Sequence, residues 1–335
     1  MGIEYERTTQ SATFYSPLED FAETTVEVEI RTDPLTGRRT RIVPDNFILP
    51  EDEPDIEAVV GDAEGCFFCP DMVGDATPKY PDFVGQDRGS VGEATAFPNL
   101  NPYGSHSNVV VLTEDHYVPI DEFTADIFAD GFHAALEYVT AVFEHDEAAE
   151  VASINMNFLR PAGSSIIHPH VQTLVDDRGT KAQGERFTAA RAYYDQTGGE
   201  YFGDLLEAER GSDRYVGETG GVSWLAPFAP RHHRHVLGIA DDVTTPAPAD
   251  DTVRDFAEGL VAVLSYYGDL GLNSFNFGLH LVDEDEAIRP VIDVVARSVF
   301  DQYYWSDATF FETVHDESVL DVPPEEYATA ASAFF

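Results

Sequence analysis

Apolar and polar residues alternate with period two in several short runs of the chain, and each such run predicts a β-strand. The first, Val26-Glu27-Val28-Glu29-Ile30-Arg31, ends at the turn Asp33-Pro34-Leu35-Thr36-Gly37, and Arg39 to Val43 can return beside it as a hairpin. A loop rich in proline and acid follows, and from Cys66 to Pro102 frequent Gly and Pro predict irregular backbone. Asn108 to Thr113 is a β run. Phe123, Ile127, Phe128, Leu136, Val139 and Phe143 then mark an amphipathic helix that opens near Asp121. Further strands are predicted from Val151 to Leu159 and from His168 to Val175, separated by the small-residue turn Gly163-Ser164-Ser165. Residues 179–221 are polar, with a helix expected around Phe187 to Tyr194.

The same order of elements then recurs. His235 to Ala240 reads as a strand, Thr252 to Tyr267 as a helix striped by Phe256, Leu260, Val263 and Leu264, and Ser274 to Leu281 and Ile288 to Ala296 as two more strands. An internal duplication is expected, in which Asn108 to Val175 corresponds to His235 to Ala296. The pattern is α+β. Two domains are expected, residues 1–195 and 196–335, one carrying the chemistry and the other serving as scaffold.

The run His168-Pro169-His170-Val171-Gln172 stands out in the first copy. On a strand, His168, His170 and Gln172 share one face. A polar row of this kind costs free energy unless it binds something. A neutral imidazole can attack phosphorus, while Gln172 and backbone N–H groups around Gly163 to Ser165 can hold the phosphoryl oxygens. The bland alternative is a pair of metal-ligand or surface histidines. In the second copy Arg289-Pro290-Val291-Ile292-Asp293 keeps the proline and loses both histidines.

Composition narrows the setting. With 43% hydrophobic and 12% aromatic residues the chain can build a sizeable core. The formal charge is −43, spread over the whole length, and Lys79 and Lys181 are the only lysines. Such a surface repels itself unless salt screens it, so a halophilic protein is expected. No basic footprint exists for nucleic acid. No apolar run approaches the roughly 20 residues that span a bilayer, and the first residues lack a signal-peptide pattern, so a cytoplasmic protein without a membrane partner is expected.

Cys66 and Cys69, the only cysteines, read as a redox pair, as unrelated residues or as half of a zinc site. The zinc reading needs histidines, and His116 and His168 both sit at predicted strand ends of the same copy. Arg231-His232-His233-Arg234-His235 is the densest basic cluster, either a counter-ion patch or a clamp for phosphate, and the clamp is the expectation.

Taken together, these residues resemble the galactose-1-phosphate uridylyltransferase family, the two-repeat branch of the histidine-triad superfamily. Ile30 to Arg38 looks like its opening motif, Cys66 to Pro70 its zinc loop, Phe97-Pro98-Asn99 its nucleotide segment, and Leu112 to His116 the run holding its third zinc ligand. Asn157 through Gly163-Ser164-Ser165 to Gln172 looks like its active-site run. Two departures are clear: Asp45-Asn46-Phe47-Ile48-Leu49 replaces a basic run, and Leu100 replaces an aspartate.

The resemblance implies two histidine-triad-like repeats, each an antiparallel sheet with a flanking helix. It implies Zn2+ on Cys66, Cys69, His116 and His168. It makes His170 the nucleophile that takes a nucleoside monophosphate from a UDP-sugar, passes it to a sugar 1-phosphate, and relies on Gln172 to hold the phosphoryl group. Asn99, Asn157, Gly163, Ser164 and Ser165 would contact nucleotide or phosphate, a homodimer is expected, and the degenerate second repeat should hold no metal. Uridylyl transfer from UDP-glucose to galactose 1-phosphate is the specific expectation. A nucleotide-sugar or dinucleotide phosphorylase using the same histidine, and a non-catalytic nucleotide- or zinc-binding protein, are the alternatives.

Overall fold

A computed structural model describes residues 3–44, 47, 49–50, 55–61, 63–243 and 245–335; Asp45, Asn46 and Ile48 of the stretch that replaces the family's basic run lie outside them. The strands are β1 (Glu6–Ser16), β2 (Ala22–Thr32), β3 (Arg39–Ile42), β4 (Gly89–Val91), β5 (Ala94–Pro98), β6 (His106–Val111), β7 (Val151–Phe158), β8 (His170–Asp176), β9 (Tyr215–Thr219), β10 (Val222–Leu225), β11 (Val236–Ala240), β12 (Phe275–Val282), β13 (Val291–Ala296) and β14 (Ser318–Leu320). The helices used below are α1 (Pro70–Ala76), α2 (Ala125–His145), α3 (Lys181–Thr197), α4 (Tyr201–Glu209), α5 (Asp251–Asp269) and α6 (Pro324–Ala331).

Ten strands form one sheet in the order β4-β5-β6-β8-β7-β12-β13-β11-β10-β9, and β1-β2-β3-β14 form a second. The middle of the large sheet reads the same from either end. In the first half β8 lies between β6 and β7, and in the second β13 lies between β11 and β12. The registers match as well. His170 faces Val111 and Gln172 faces Val109 and Asn155, while Val291 faces Ile239 and Asp293 faces Leu237 and Gly278. Val291 and Asp293 therefore stand where His170 and Gln172 stand in the first copy, as the aligned sequences predict. Asn155 faces Gly278 across the β7–β12 seam, at the centre of this pseudo-symmetry.

Alternation assigns the two faces of the sheet. Ala152, Ile154, Met156 and Phe158 of β7, with Phe275, Phe277 and Leu279 of β12, point into the main core. The helices α2 and α5 cover that face; Phe128 and Phe132 of α2 sit edge-on to Phe277. Thr124 caps α2 by accepting from the Ile127 N–H, which is why the helix starts after the predicted Asp121. The other face is covered in patches, by the loop around Phe68 on one side and by α3 and α4 on the other. Between the patches runs a half-open polar strip, His170 and Gln172 on β8, Asn155 and Asn157 on β7, and Asn276 and His280 on β12.

Several elements escape the sequence pattern. The strand β1 is exposed on nearly every residue, so it shows no alternation to read. The polar run 179–221 folds into α3, α4, β9 and most of the way to β10. Within 66–102, α1, β4 and β5 are short enough for glycine and proline to mask them. No helix among the described residues is long and apolar enough to cross a membrane.

The basic cluster resolves largely into buried ion pairs. Arg234 forks onto Asp321 at 2.7 and 2.8 Å, and His233 Nδ1 donates to the same carboxylate at 3.1 Å. Burial alone would raise the Asp321 carboxyl, but the hydrogen bonds from His233 and Arg234 outweigh it and hold it well below the usual range. A depressed carboxyl stabilises the fold above its unfolded pKa, and that contribution drains away as pH falls toward the folded value. We expect Asp321→Asn to cost about 3–5 kcal/mol in urea unfolding at pH 7, because it strands a buried guanidinium. The gap between wild type and variant should be flat above about pH 5 and close below about pH 4.

Candidate active site and metal centre

Cys66 and Cys69 lie in the loop that leads into α1, and Cys69 is the residue before its first turn, with Pro70 at the first helical position. The Cys69 carbonyl accepts from the N–H groups of Met72 and Val73, at 2.9 Å in each case. Phe68, between the cysteines, packs with Phe97, Val109 and Val111, so an apolar contact seats the loop on the sheet. His116 follows β6 in the loop before α2, and His168 precedes β8.

Four ligand atoms converge here. Those of Cys66, Cys69, His116 and His168 all lie within 4.8 Å of one another. Cys69 Sγ is 3.6 Å from Nδ1 of both His116 and His168, and Cys66 Sγ is 3.8 Å from His168 Nδ1. A tetrahedral zinc with bonds of about 2.3 Å to sulfur and 2.0–2.1 Å to nitrogen requires sulfur–nitrogen edges of about 3.6 Å. The donor set therefore fits. His168 Nε2 donates to the Thr113 carbonyl at 2.8 Å, which leaves Nδ1 bare toward the cysteines, the orientation an imidazole ligand needs. Burial pushes the Cys69 thiol up to about 11, so the pair is poorly suited to redox chemistry without a cation.

The regular strand starts at His170, two residues later than predicted, because Pro169 has no N–H for the ladder. The Pro169 carbonyl still accepts from Leu112 N–H at 3.0 Å and ties the lead-in to the end of β6. The His170 ring is fixed from behind. Its Nδ1 donates to the His168 carbonyl at 2.9 Å, and Phe68 meets the ring edge-on with centroids 5.1 Å apart. Nε2 is thereby left as the free nitrogen. Burial lowers the His170 pKa, which favours the neutral, nucleophilic form.

Gln172 stands two residues on along the same face, about 6.6 Å further at the strand rise. Its backbone carbonyl accepts from Asn155 Nδ2 at 3.2 Å, and its side-chain amide has no protein partner among the described residues. Asn157 Oδ1 accepts from Asn276 Nδ2 at 2.7 Å. Between β7 and β8 the chain makes a sharp turn: Leu159 has φ 65° and Gly163 φ 93°, both in the left-handed region. A buried leucine held there stores strain at the lip of the site. Ser164 is buried and its hydroxyl donates to the Ile166 carbonyl at 2.6 Å, while Ser165 is exposed. The Asn99 Oδ1 accepts from Asn101 N–H, and its Nδ2 is a buried donor with no partner. That donor is free to meet a hydrogen-bond acceptor from outside the chain.

The structure thus gathers the four zinc-type ligands and sets His170 and Gln172 side by side. Asn99 stands apart from them at the end of β5, two strands from β8, and Leu100 beside it is 75% exposed. Three contributors carry no distinctive signature in the sequence: the Phe68 ring, the Thr113 carbonyl and Asn276. A main-chain acceptor leaves no mark in sequence, and Phe68 sits inconspicuously between two cysteines.

No family model matches the chain. An uncharacterized protein of Archaeoglobus fulgidus is 37% identical over 303 residues, covering 90% of each chain. Among solved structures, an ADP-glucose phosphorylase from Arabidopsis thaliana with bound ADP-glucose superposes with a TM-score of 0.71 at 18% identity, over 91% of this chain and 98% of that one. A uridylyltransferase gives 0.64 at 20% identity, again over 91% of this chain and 98% of the other. The chain belongs to the same family as the Archaeoglobus fulgidus protein, and its fold is that of the ADP-glucose phosphorylase and of the uridylyltransferase.

Proposed function

We propose that the protein is a nucleotidyltransferase working through a covalent nucleotidyl-histidine at His170. The observation that carries this reading is the fixed tautomer: Nδ1–H held by the His168 carbonyl, Nε2 bare on a half-open polar face, and an unpartnered Gln172 amide on the same face. In the first half-reaction Nε2 attacks the α-phosphorus of a nucleotide sugar. The N–P bond forms, the bond from phosphorus to the bridging oxygen breaks, and a sugar 1-phosphate departs with that oxygen. The hydrogen bond from Nδ1 to the His168 carbonyl stabilises the positive charge the ring acquires. Gln172 donates its amide N–H to a non-bridging oxygen. In the second half-reaction a phosphate oxygen of the acceptor attacks phosphorus and the N–P bond breaks, returning neutral His170.

Asn99 Nδ2, Asn157 and the Gly163–Ser165 turn would hold nucleotide and phosphate. Zinc on Cys66, Cys69, His116 and His168 would supply structural closure, tying the loop to the start of β8. A UDP-sugar donor with galactose 1-phosphate as acceptor is the specific reading. A phosphorylase, in which inorganic phosphate is the acceptor and ADP-glucose the donor, is the second, favoured by the TM-score of 0.71 to the ADP-glucose phosphorylase.

The test is isotope exchange. With UDP-glucose or ADP-glucose as the only donor and no second acceptor, labelled glucose 1-phosphate should exchange into the nucleotide sugar. His170→Ala should abolish exchange by on the order of 10⁴-fold or more, and Gln172→Ala should slow it about 10²–10³-fold. Absence of exchange with either donor would sink the reading; galactose 1-phosphate against inorganic phosphate as acceptor then separates the two versions. Metal analysis should find one zinc per chain, and Cys69→Ser should lose it together with several kcal/mol of stability in denaturant unfolding. Well under one zinc in the wild type would contradict the four-ligand assignment.

A further inference from the structure

A buried ion pair in the second repeat is wired to the polar face of the first. The Asp307 side chain is buried, and Arg297 Nη2 and Nε donate to its Oδ1 at 2.7 and 3.0 Å. The Ser298 N–H donates to the other oxygen at 2.8 Å. The remaining Arg297 nitrogen, Nη1, donates to Asn276 Oδ1 at 2.7 Å. Asn276 on β12 is the cross-strand neighbour of Asn157 on β7. Its Nδ2 donates to Asn157 Oδ1 at 2.7 Å and to the Ala162 carbonyl at 2.9 Å, with the Met156 carbonyl a longer third acceptor at 3.3 Å.

Every orientation in this chain of hydrogen bonds is forced. A guanidinium carries donors only, so Asn276 must turn its oxygen to Arg297 and its N–H groups to Asn157 and Ala162. Asn157 must meet those N–H groups with its own oxygen, because the flipped amide would set two donors against each other. Its Nδ2 is left without a protein partner among the described residues, at an exposed position. With the oxygen turned toward β12, the nitrogen points away from it, and β8 is the strand on that side. In the register of β7 and β8, Asn155 faces Gln172, so Asn157, two residues on along the same face, is level with His170.

We propose that Arg297, Asn276 and Asp307 are positioning residues that lock the Asn157 amide with Nδ2 toward the ligand, a role that rests on reading this face as the nucleotide site. A donor held in this way selects an acceptor. It welcomes a phosphate or ribose oxygen and turns away an ammonium or amide N–H. The second repeat is then more than scaffold. It sets the polarity of one recognition group in the first repeat, and no rearrangement is needed when the ligand arrives. Through the Ala162 carbonyl, Asn276 also holds the turn that leads into Gly163, Ser164 and Ser165.

Calorimetric titration of the full, zinc-loaded chain with UMP and with AMP tests the lock, because a nucleoside monophosphate binds without nucleotidyl transfer. Saturable binding of at least one is expected. Asn157→Ala and Asn276→Asp should each weaken it about tenfold or more, the weight of one hydrogen bond to a charged oxygen. An aspartate at position 276 accepts from Arg297 and turns its second oxygen to Asn157, so the Asn157 amide flips and presents an acceptor to the ligand. Arg297→Met should weaken binding likewise, and Arg297→Lys, which keeps a donor-only head group, should lose less. In an Asn157→Ala background, Asn276→Asp and Arg297→Met should change the affinity by no more than about twofold, because the group they orient is gone. A purely structural role would give the same loss in both backgrounds, and that additivity would overturn the proposal. So would undiminished affinity in Asn276→Asp, equal losses in Arg297→Lys and Arg297→Met, or no saturable binding of either nucleotide. Affinity is read without turnover, so failure of the lock and failure of transfer at His170 are seen separately.

Discussion

The hydrogen bond from His170 Nδ1 to the His168 carbonyl joins the two halves of the site. It spans two residues of one strand entry, and both ends are constrained. The His168 side chain is buried, held through Nε2 by Thr113 and turned toward Cys66 and Cys69 through Nδ1. Its carbonyl therefore has little freedom, and a ring that donates to it inherits that rigidity. In physical terms the cysteine–histidine cluster need not touch a substrate to matter. It fixes the backbone that fixes the His170 ring, and preorganisation of that kind is what the proposed nucleophile requires.

The duplicated sheet shows how one scaffold carries two different sets of side chains. Both copies place an i, i+2 pair on the same face of the central strand, with matching partners on either side. In the first copy the pair is His170 and Gln172, and the groups are left unsatisfied. In the second it is Val291 and Asp293, and Arg186, His235 and His280 saturate the carboxylate. A buried aspartate without those donors would be costly, so the changes had to come as a set.

Much of this is visible in the residues themselves. Helical and strand periodicities locate α2, α5, β7, β8 and β12, because each buries one face in a large aromatic core. The duplication is legible because its register survives although its histidines do not. Cys66, Cys69, His116 and His168 are legible as a set through family likeness, since the ligands lie as much as 102 residues apart. Other features are physically silent in sequence. The strand β1 has no buried face to impose alternation, and the Thr113 and His168 carbonyls that orient both imidazoles belong to the backbone. The Arg231–His235 cluster looks uniform in sequence. Only the fold separates Arg234, His233 and His235, which have carboxylate partners, from Arg231, which has none among the described residues.

The claim at the centre is that His170 carries the nucleotide between donor and acceptor. Intact-mass spectrometry of the zinc-loaded chain after brief exposure to UDP-glucose or ADP-glucose tests it most directly. The expected result is an added nucleoside monophosphate that maps to His170, is lost in acid, and is discharged by glucose 1-phosphate. No added mass with either donor, or an adduct that persists in His170→Ala, would contradict it.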